Sequence, residues 1–153
     1  MGKVLGVIPA RYGSTRFPGK VLANIGSYPM IRYVYEAAKQ ARVLDHLVIA
    51  TDDERVRDVV VGFGAECLMT SDKHKSGTDR LAEVAETYRD YDVLVNIQGD
   101  EPGIEPELID GVARLKIENQ LPSHSSERNL TSTSDRYCGR RTRPSFRVRV
   151  HIA

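Results

Sequence analysis

The chain has 153 residues, 41% of them hydrophobic and 28% charged, with a formal net charge of +1, an ordinary composition that supports one domain with a proper core. Cys67 and Cys138 have neither the number nor the spacing of a disulfide framework or a zinc site, which leaves a reducing compartment as the default. No apolar run reaches membrane-spanning length or carries the charged flank of a signal peptide, so the expected location is the cytoplasm, with no membrane partner.

In chain order, Val4-Leu-Gly-Val-Ile8 is a continuous apolar run of strand length, the pattern of a parallel strand buried on both faces. It runs into a loop, Pro9 to Lys20, and then into a predicted helix over Pro29–Ala41, with Pro29 at the permissive first position and Met30, Val34, Ala37 and Ala41 as its inward stripe. Leu47–Ala50 reads as a second buried strand. The turn Thr51-Asp52-Asp53 follows it, then a helix over Glu54–Phe63 with Val56, Val59, Val60 and Phe63 inward and Gly64 as its C′ residue.

Glu66–Met69 is a short third strand. After the polar stretch Thr70–Gly77, helical spacing returns at Leu81, Val84, Ala85 and Tyr88, with Thr78 as the expected N-cap. Val93–Ile97 is the fourth strand, ending at Gln98-Gly-Asp-Glu-Pro102. Pro106–Lys116 is the last helix, with Leu108, Ile109, Val112 and Leu115 inward. Strands alternating with helices predict right-handed crossovers and an α/β fold with a mostly parallel sheet.

The alternation breaks near Asn119. Residues 1–121 hold 15 Lys+Arg and 19 Asp+Glu, a net of −4, whereas residues 122–153 hold 7 and 2, a net of +5. The last stretch contains nine Ser or Thr and few large apolar residues, too little to offset its own ordering entropy. The chain therefore divides into a nucleotide-binding α/β domain, 1–118, and a basic Ser/Arg-rich tail, 119–153, expected to be disordered and not the native continuation, as an out-of-frame reading of a longer gene would be. Phe146–Ile152 alternates apolar and basic residues and fits an amphipathic edge strand. It lacks the stacking aromatics of a nucleic-acid module, so no nucleic-acid partner is expected.

The loop after the first strand sets Arg11, Arg16 and Lys20 within ten residues, among small residues that let backbone N–H groups approach a ligand. At the carboxyl end of a buried strand this describes a polyphosphate cradle, the alternative being a solvated basic loop. It is not a Walker A loop: five residues separate Gly13 from Gly19, and Val21 stands where a metal-binding hydroxyl belongs. Nor is there a Gly-x-Gly-x-x-Gly fingerprint, which argues against a nicotinamide enzyme. Asp100, just past the fourth strand and a glycine, is a candidate Mg2+ ligand or a turn cap. Asp52 and Asp53 suit a ribose contact or a helix cap. His74 is read as an exposed loop residue without a visible partner, and Arg80 as either a ligand contact or half of a pair with Asp79 or Glu83.

Six segments, in this order and spacing, carry a family resemblance: Ile8-Pro-Ala-Arg-Tyr-Gly-Ser-Thr-Arg-Phe-Pro-Gly-Lys20, Pro29-Met-Ile31, Ala50-Thr-Asp-Asp53, Met69-Thr70, His74-Lys-Ser-Gly-Thr-Asp-Arg80 and Asn96-Ile-Gln-Gly-Asp-Glu-Pro102. Together they resemble the 3-deoxy-manno-octulosonate cytidylyltransferases over about residues 3–115. The resemblance implies a Rossmann-like nucleotide-diphospho-sugar transferase fold, incomplete at its C-terminus, and a reaction that joins CTP and 3-deoxy-manno-octulosonate into a CMP-sugar for lipopolysaccharide synthesis, with Mg2+ as cofactor. A CTP-binding fragment without turnover and an acylneuraminate-type enzyme are the other readings. The resemblance implies Arg11 and Lys20 as catalytic groups, Ala10, Arg11, Ser14, Lys20, Thr51, Asp52, Ser76 and Gly77 as nucleotide contacts, Arg16, Arg80 and Gln98 as sugar contacts, and Asp100 as metal ligand. Family members are considerably longer and form homodimers. Their second metal-binding aspartate and the rest of their sugar pocket have no counterpart in Ser123–Ala153, and Gly26 stands one place earlier than usual.

Overall fold

Val4–Pro9 forms strand β1, and its apolar run is continuous because both of its faces and both of its edges are covered. The structure, a computed structural model, describes residues 2–13, 16–74, 77–120 and 149–152. Strand β4 (His46–Thr51) pairs with one edge of β1 and β6 (Val93–Ile97) with the other, both parallel to it. β5 (Cys67–Met69) lies parallel outside β4 and β7 (Arg149–Ile152) parallel outside β6, giving the order β5-β4-β1-β6-β7.

The two-residue period of β1 sends Val4 and Ile8 to one face and Leu5 and Val7 to the other. The first face is covered by helices α1 (Met30–Ala38), α2 (Glu54–Gly62) and α4 (Pro106–Gln120), through Ile31, Val34, Val56, Val60, Ile109 and Ala113. The second is covered by α3 (Gly77–Thr87), through Leu81 and Val84. Helices on both faces of a parallel sheet make the α/β architecture that the alternating pattern predicts.

The core strands lie where the sequence puts them, and the element ends differ. Between loop and first helix the chain forms a 3-10 turn, Lys20–Leu22, and a small antiparallel hairpin, β2 (Asn24–Ile25) with β3 (Tyr28–Pro29). Pro29 is thereby the extended N-cap of α1 and not its first helical residue, and α1 stops at Ala38 with Ile31, Val34, Tyr35 and Ala38 buried. Thr78 is inside the first turn of α3, which begins at Gly77, and so is not its cap. Asp53 does cap α2, its carboxylate accepting the Arg55 N–H, and Gly64 beyond the helix has φ 83°.

The inward stripe of α4 needs correction. Ile109 and Ala113 are wholly buried, whereas Leu108 and Leu115 are 48% and 60% exposed. Ile109 and Ala113 are one turn apart, and the small Ala113 lets that face approach the sheet, so the two leucines fall on the far side. α4 also runs through Gln120, past the boundary drawn at residue 118. The basic tail lies mostly at residues 121–148, outside the described residues, and within Phe146–Ile152 the structure places β7 at Arg149–Ile152 on the edge of the sheet. No described helix is long and apolar enough to cross a membrane.

The two faces of α4 give a direct test. Ile109→Ala should cost about 2–5 kcal/mol by urea unfolding, the range for emptying a buried aliphatic site, and Leu115→Ala less than about 0.5 kcal/mol. Equal costs would place the helix the wrong way round.

Candidate functional site

Because β1, β4 and β6 are parallel, their carboxyl ends share one edge of the sheet, and the segments that follow them meet there. A cavity of about 410 Å³ opens at that edge, lined by Pro9, Arg11, Gly13, Lys20, Val21, Gly77, Gln98, Gly99 and Asp100. Its residues come from the loop after β1, the start of α3 and the loop after β6.

Two glycines make this meeting possible. A Cβ on Gly99 would stand 2.8 Å from the carbonyl oxygen of Pro9, so only glycine lets the chain leaving β6 pass that closely under the end of β1. Gly19 holds φ +71°, a conformation that a side chain would strain, and it turns the loop into the 3-10 turn that begins with Lys20. The outcome is an ion pair across 80 residues of sequence: Lys20 Nζ donates to Asp100 Oδ2 at 2.9 Å. The two side chains are 42% and 46% exposed, so the pair stabilises the fold little; its interest is that a cation and a carboxylate are brought together at the cavity mouth.

The structure thus brings together Arg11, Lys20, Gly77, Gln98 and Asp100 of the residues singled out from sequence. Ser14 and Ser76 lie outside the described residues. Arg16 is exposed on the loop and does not line the cavity. Ala10 is wholly buried and its N–H is committed to Ala50 O at 2.8 Å, so that amide serves the sheet. Thr51 is equally buried: its carbonyl accepts from Thr70 N at 2.8 Å and from Thr70 Oγ1 at 3.1 Å, and its hydroxyl accepts from Asp53 N at 3.2 Å.

Asp52 and Arg80 are bonded to each other, Arg80 Nη2 donating to Asp52 Oδ2 at 3.0 Å. The Arg80 side chain is fully enclosed and also donates to the Thr70 hydroxyl, which ties α3 to the ends of β4 and β5. The hydrogen bonds it makes thus go to groups distant in sequence, Asp52 and Thr70. The sole described cysteine, Cys67, is half-buried, and burial pushes its thiol up to about 11, which keeps it protonated and a poor nucleophile.

Among the described residues no group of three or more His, Cys, Asp or Glu could cage a metal ion. Asp100 supplies a single carboxylate at the mouth, and one carboxylate suits an ion that fills its shell with phosphate oxygens and water, so the residue fits Mg2+ to that extent.

A family model described as cytidylyltransferase matches residues 5–137, which takes in the described site and the first part of the segment set apart by composition. The 3-deoxy-manno-octulosonate cytidylyltransferase of Leptospira interrogans is 61% identical over 116 residues, 76% of this chain and 47% of that protein. Among solved structures, CMP:2-keto-3-deoxy-manno-octonic acid synthetase complexed with CTP superimposes with TM-score 0.74 at 44% identity, over 76% of this chain and 48% of that one. A cytidylyltransferase from Leptospira borgpetersenii superimposes with TM-score 0.69 at 27% identity, over 78% and 51%. The chain spans about half the length of the curated relatives it matches.

One feature of the site's border escapes local sequence spacing. His74 is not a solitary loop residue: its Nε2 pairs with Glu83 on α3, and the same carboxylate accepts the Ser71 N–H at 3.0 Å, so Glu83 closes the loop between β5 and α3. The hydrogen bond from His74, then that from Ser71, hold the Glu83 carboxyl below its ordinary value of 4.5. A carboxyl whose pKa is lower in the folded state contributes stability above its unfolded value and loses it as pH falls through the folded one. Glu83→Gln should therefore flatten the loss of stability between about pH 5 and pH 3 relative to the parent protein. Urea midpoints across that range measure it, and parallel curves would mean that the pair is not formed in solution.

Proposed function

The chain belongs to the cytidylyltransferase family, and from that premise we propose that it carries the nucleotide site for transfer of a cytidylyl group from CTP to 3-deoxy-manno-octulosonate. The observation that carries this reading is the convergence of Arg11, Lys20 and Asp100 on one cavity at the carboxyl edge of the sheet. The CMP-sugar formed would serve lipopolysaccharide synthesis in the cytoplasm, with the protein acting as a homodimer.

In this reaction a sugar hydroxyl oxygen attacks the α-phosphorus of CTP, the bond from that phosphorus to the pyrophosphate oxygen breaks, and pyrophosphate leaves. The protein's task is to place the two reactants and to neutralise charge on the phosphates. Lys20 is a compact charge for the phosphates and Arg11 a planar fork that can take two oxygens. Gly77, at the start of α3, offers backbone N–H groups and the positive end of the helix dipole to an anion or a polar nucleotide edge. Gln98 lines the same cavity and Arg16 lies on the loop, as polar groups for the acceptor sugar. Asp52 and the enclosed Arg80 support the wall through the bond between them, and Thr51 through its bonds with Thr70, which Arg80 also reaches.

Asp100 would hold a Mg2+ shared with the phosphates, and such an ion would draw charge from the attacked phosphorus and the leaving group. Lys20 must then exchange its carboxylate partner for phosphate. That exchange costs little, because both side chains are half in water.

A second reading is favoured by one fact, the half-length match: a CTP-binding protein without turnover. The two separate in a pyrophosphate-release assay with CTP, 3-deoxy-manno-octulosonate and Mg2+, run beside the complete Leptospira interrogans relative. Fixing the acceptor in line contributes about 7–11 kcal/mol to such a step, so a chain that binds CTP without the rest of the sugar pocket should turn over several orders of magnitude more slowly. Turnover comparable to the complete relative would show that the residues described here suffice.

Binding is tested separately. Lys20→Ala should weaken CTP by about 1.5–3 kcal/mol in calorimetric titration, the value of a charge-assisted hydrogen bond, without changing the circular dichroism spectrum. Asp100→Asn should abolish the gain in CTP affinity that Mg2+ gives while preserving metal-free binding. Unchanged affinity in the first variant, or an unchanged Mg2+ effect in the second, would remove that residue from the site.

A further inference from the structure

Tyr12 sits inside the cation-bearing loop yet does not line the cavity. Its ring instead meets the residue that precedes Lys20: a Cβ on Gly19 would stand 2.9 Å from the ring carbon Cε2. The backbones are tied as well, Gly19 N donating to Tyr12 O at 2.7 Å, and Gly19 O then accepts from Leu22 N at 2.9 Å to set the 3-10 turn. The ring of Tyr12 and the Gly19–Lys20 corner therefore move together.

The ring has a second contact, from α2. The guanidinium of Arg55 lies over it, 3.4 Å from its centroid. Arg55 is in turn fixed by Asp53, with Nε donating to Oδ1 at 2.9 Å and Nη2 to Oδ2 at 2.7 Å, while the Arg55 backbone N–H donates to that same Oδ1 at 2.9 Å and caps the helix. Only a planar fork can chelate both oxygens of one carboxylate and still lie flat on a ring, so lysine is no substitute. The Arg55 side chain is 61% exposed, whereas that of Asp53 is 20% exposed, so the fork extends from an anchored carboxylate across open surface to the ring.

We propose that Arg55 is a positioning residue for the phosphate loop: anchored on Asp53, it clamps the Tyr12 ring and so sets the Gly19–Lys20 corner that presents the Lys20 ammonium to the phosphates of a nucleoside triphosphate. The inference rests on the reading of the cavity as a CTP site. Its physical content is preorganisation: a loop already held in its binding shape spends less of its interaction with the ligand on ordering. The device links the cap of α2, at the end of β4, to a charge at the end of β1, so two strand ends co-operate in placing one ammonium group.

The test is calorimetric titration of the whole chain with CTP in a double-mutant cycle. Arg55→Ala should weaken CTP about three- to tenfold, the scale of a cation–π contact that is partly desolvated, with the unfolding temperature nearly unchanged. Arg55→Lys should recover little of that loss, and Tyr12→Phe should recover the share of the affinity lost in Tyr12→Ala that the ring carries, the Tyr12 hydroxyl also interacting with Arg55. In a Lys20→Ala background, Arg55→Ala should cost almost nothing further. Full affinity in Arg55→Ala, or the same loss with and without Lys20, would overturn the clamp while leaving the CTP site standing. No loss in Lys20→Ala alone would instead remove Lys20 from the site, and the clamp with it, whereas no CTP binding by the parent chain would overturn the site itself.

Discussion

β1 is paired along both edges and packed on both faces, and its fixed register sets where everything else lies. A strand with neighbours on both edges and helices over both faces has no freedom of register, since a slip of one residue would turn Val4 and Ile8 out of one core and Leu5 and Val7 out of the other. Its partners β4 and β6 run parallel to it, which puts three strand ends, and the segments that leave them, on one edge of the sheet. The ladder continues one residue beyond β1, through Ala10 N to Ala50 O, so the cation-bearing loop departs from a fixed point. Gly99 then brings the end of β6 against Pro9 O, and Asp100 is delivered to Lys20 without any contact between the two being needed to hold the fold.

This separation of duties explains the electrostatics. The backbone sets the site, and the exposed charges at its mouth contribute little to stability, which leaves them available for a polyanion and its counter-ion. Charges that do hold structure are placed elsewhere and are better shielded: Arg80 between Asp52 and Thr70, Glu83 between His74 and the Ser71 N–H. These fasten α3 and the loop before it to the ends of β4 and β5, so the wall that carries Gly77 is rigidly referenced to the sheet.

What was legible in the sequence follows from the range of the interactions. Val93–Ile97 agrees residue for residue with β6, because a strand buried on both faces shows as an uninterrupted apolar run, and Asp53 as cap and Gly64 as C′ residue are local signals read within a turn. The gathering of Arg11, Lys20 and Asp100 at one cavity was legible from their positions after such runs, whereas Arg16 in the same loop does not line it. The face of α4 was not, since Leu108 and Ile109 are equally apolar and only the sheet decides which is covered. His74–Glu83, Arg80–Asp52 and Tyr12–Arg55 are pairings between elements, and nothing in spacings of 9, 28 or 43 residues announces them. Gly19 and Gly99 were visible as glycines, but their close approaches to Tyr12 and to Pro9 O exist only in three dimensions.

Whether a nucleoside triphosphate binds where the ends of β1 and β6 meet decides the function proposed above. Amide nitrogen–proton correlation spectra of the labelled chain, titrated with CTP, address it most directly, because glycine amides are well-dispersed reporters on both sides of the sheet. Binding there moves Gly13, Gly19, Gly77 and Gly99 together with Lys20 and Asp100, all saturating at one dissociation constant. Shifts confined instead to a separate cavity lined by Lys39, His46, Gly64 and Glu66 would rule that site out.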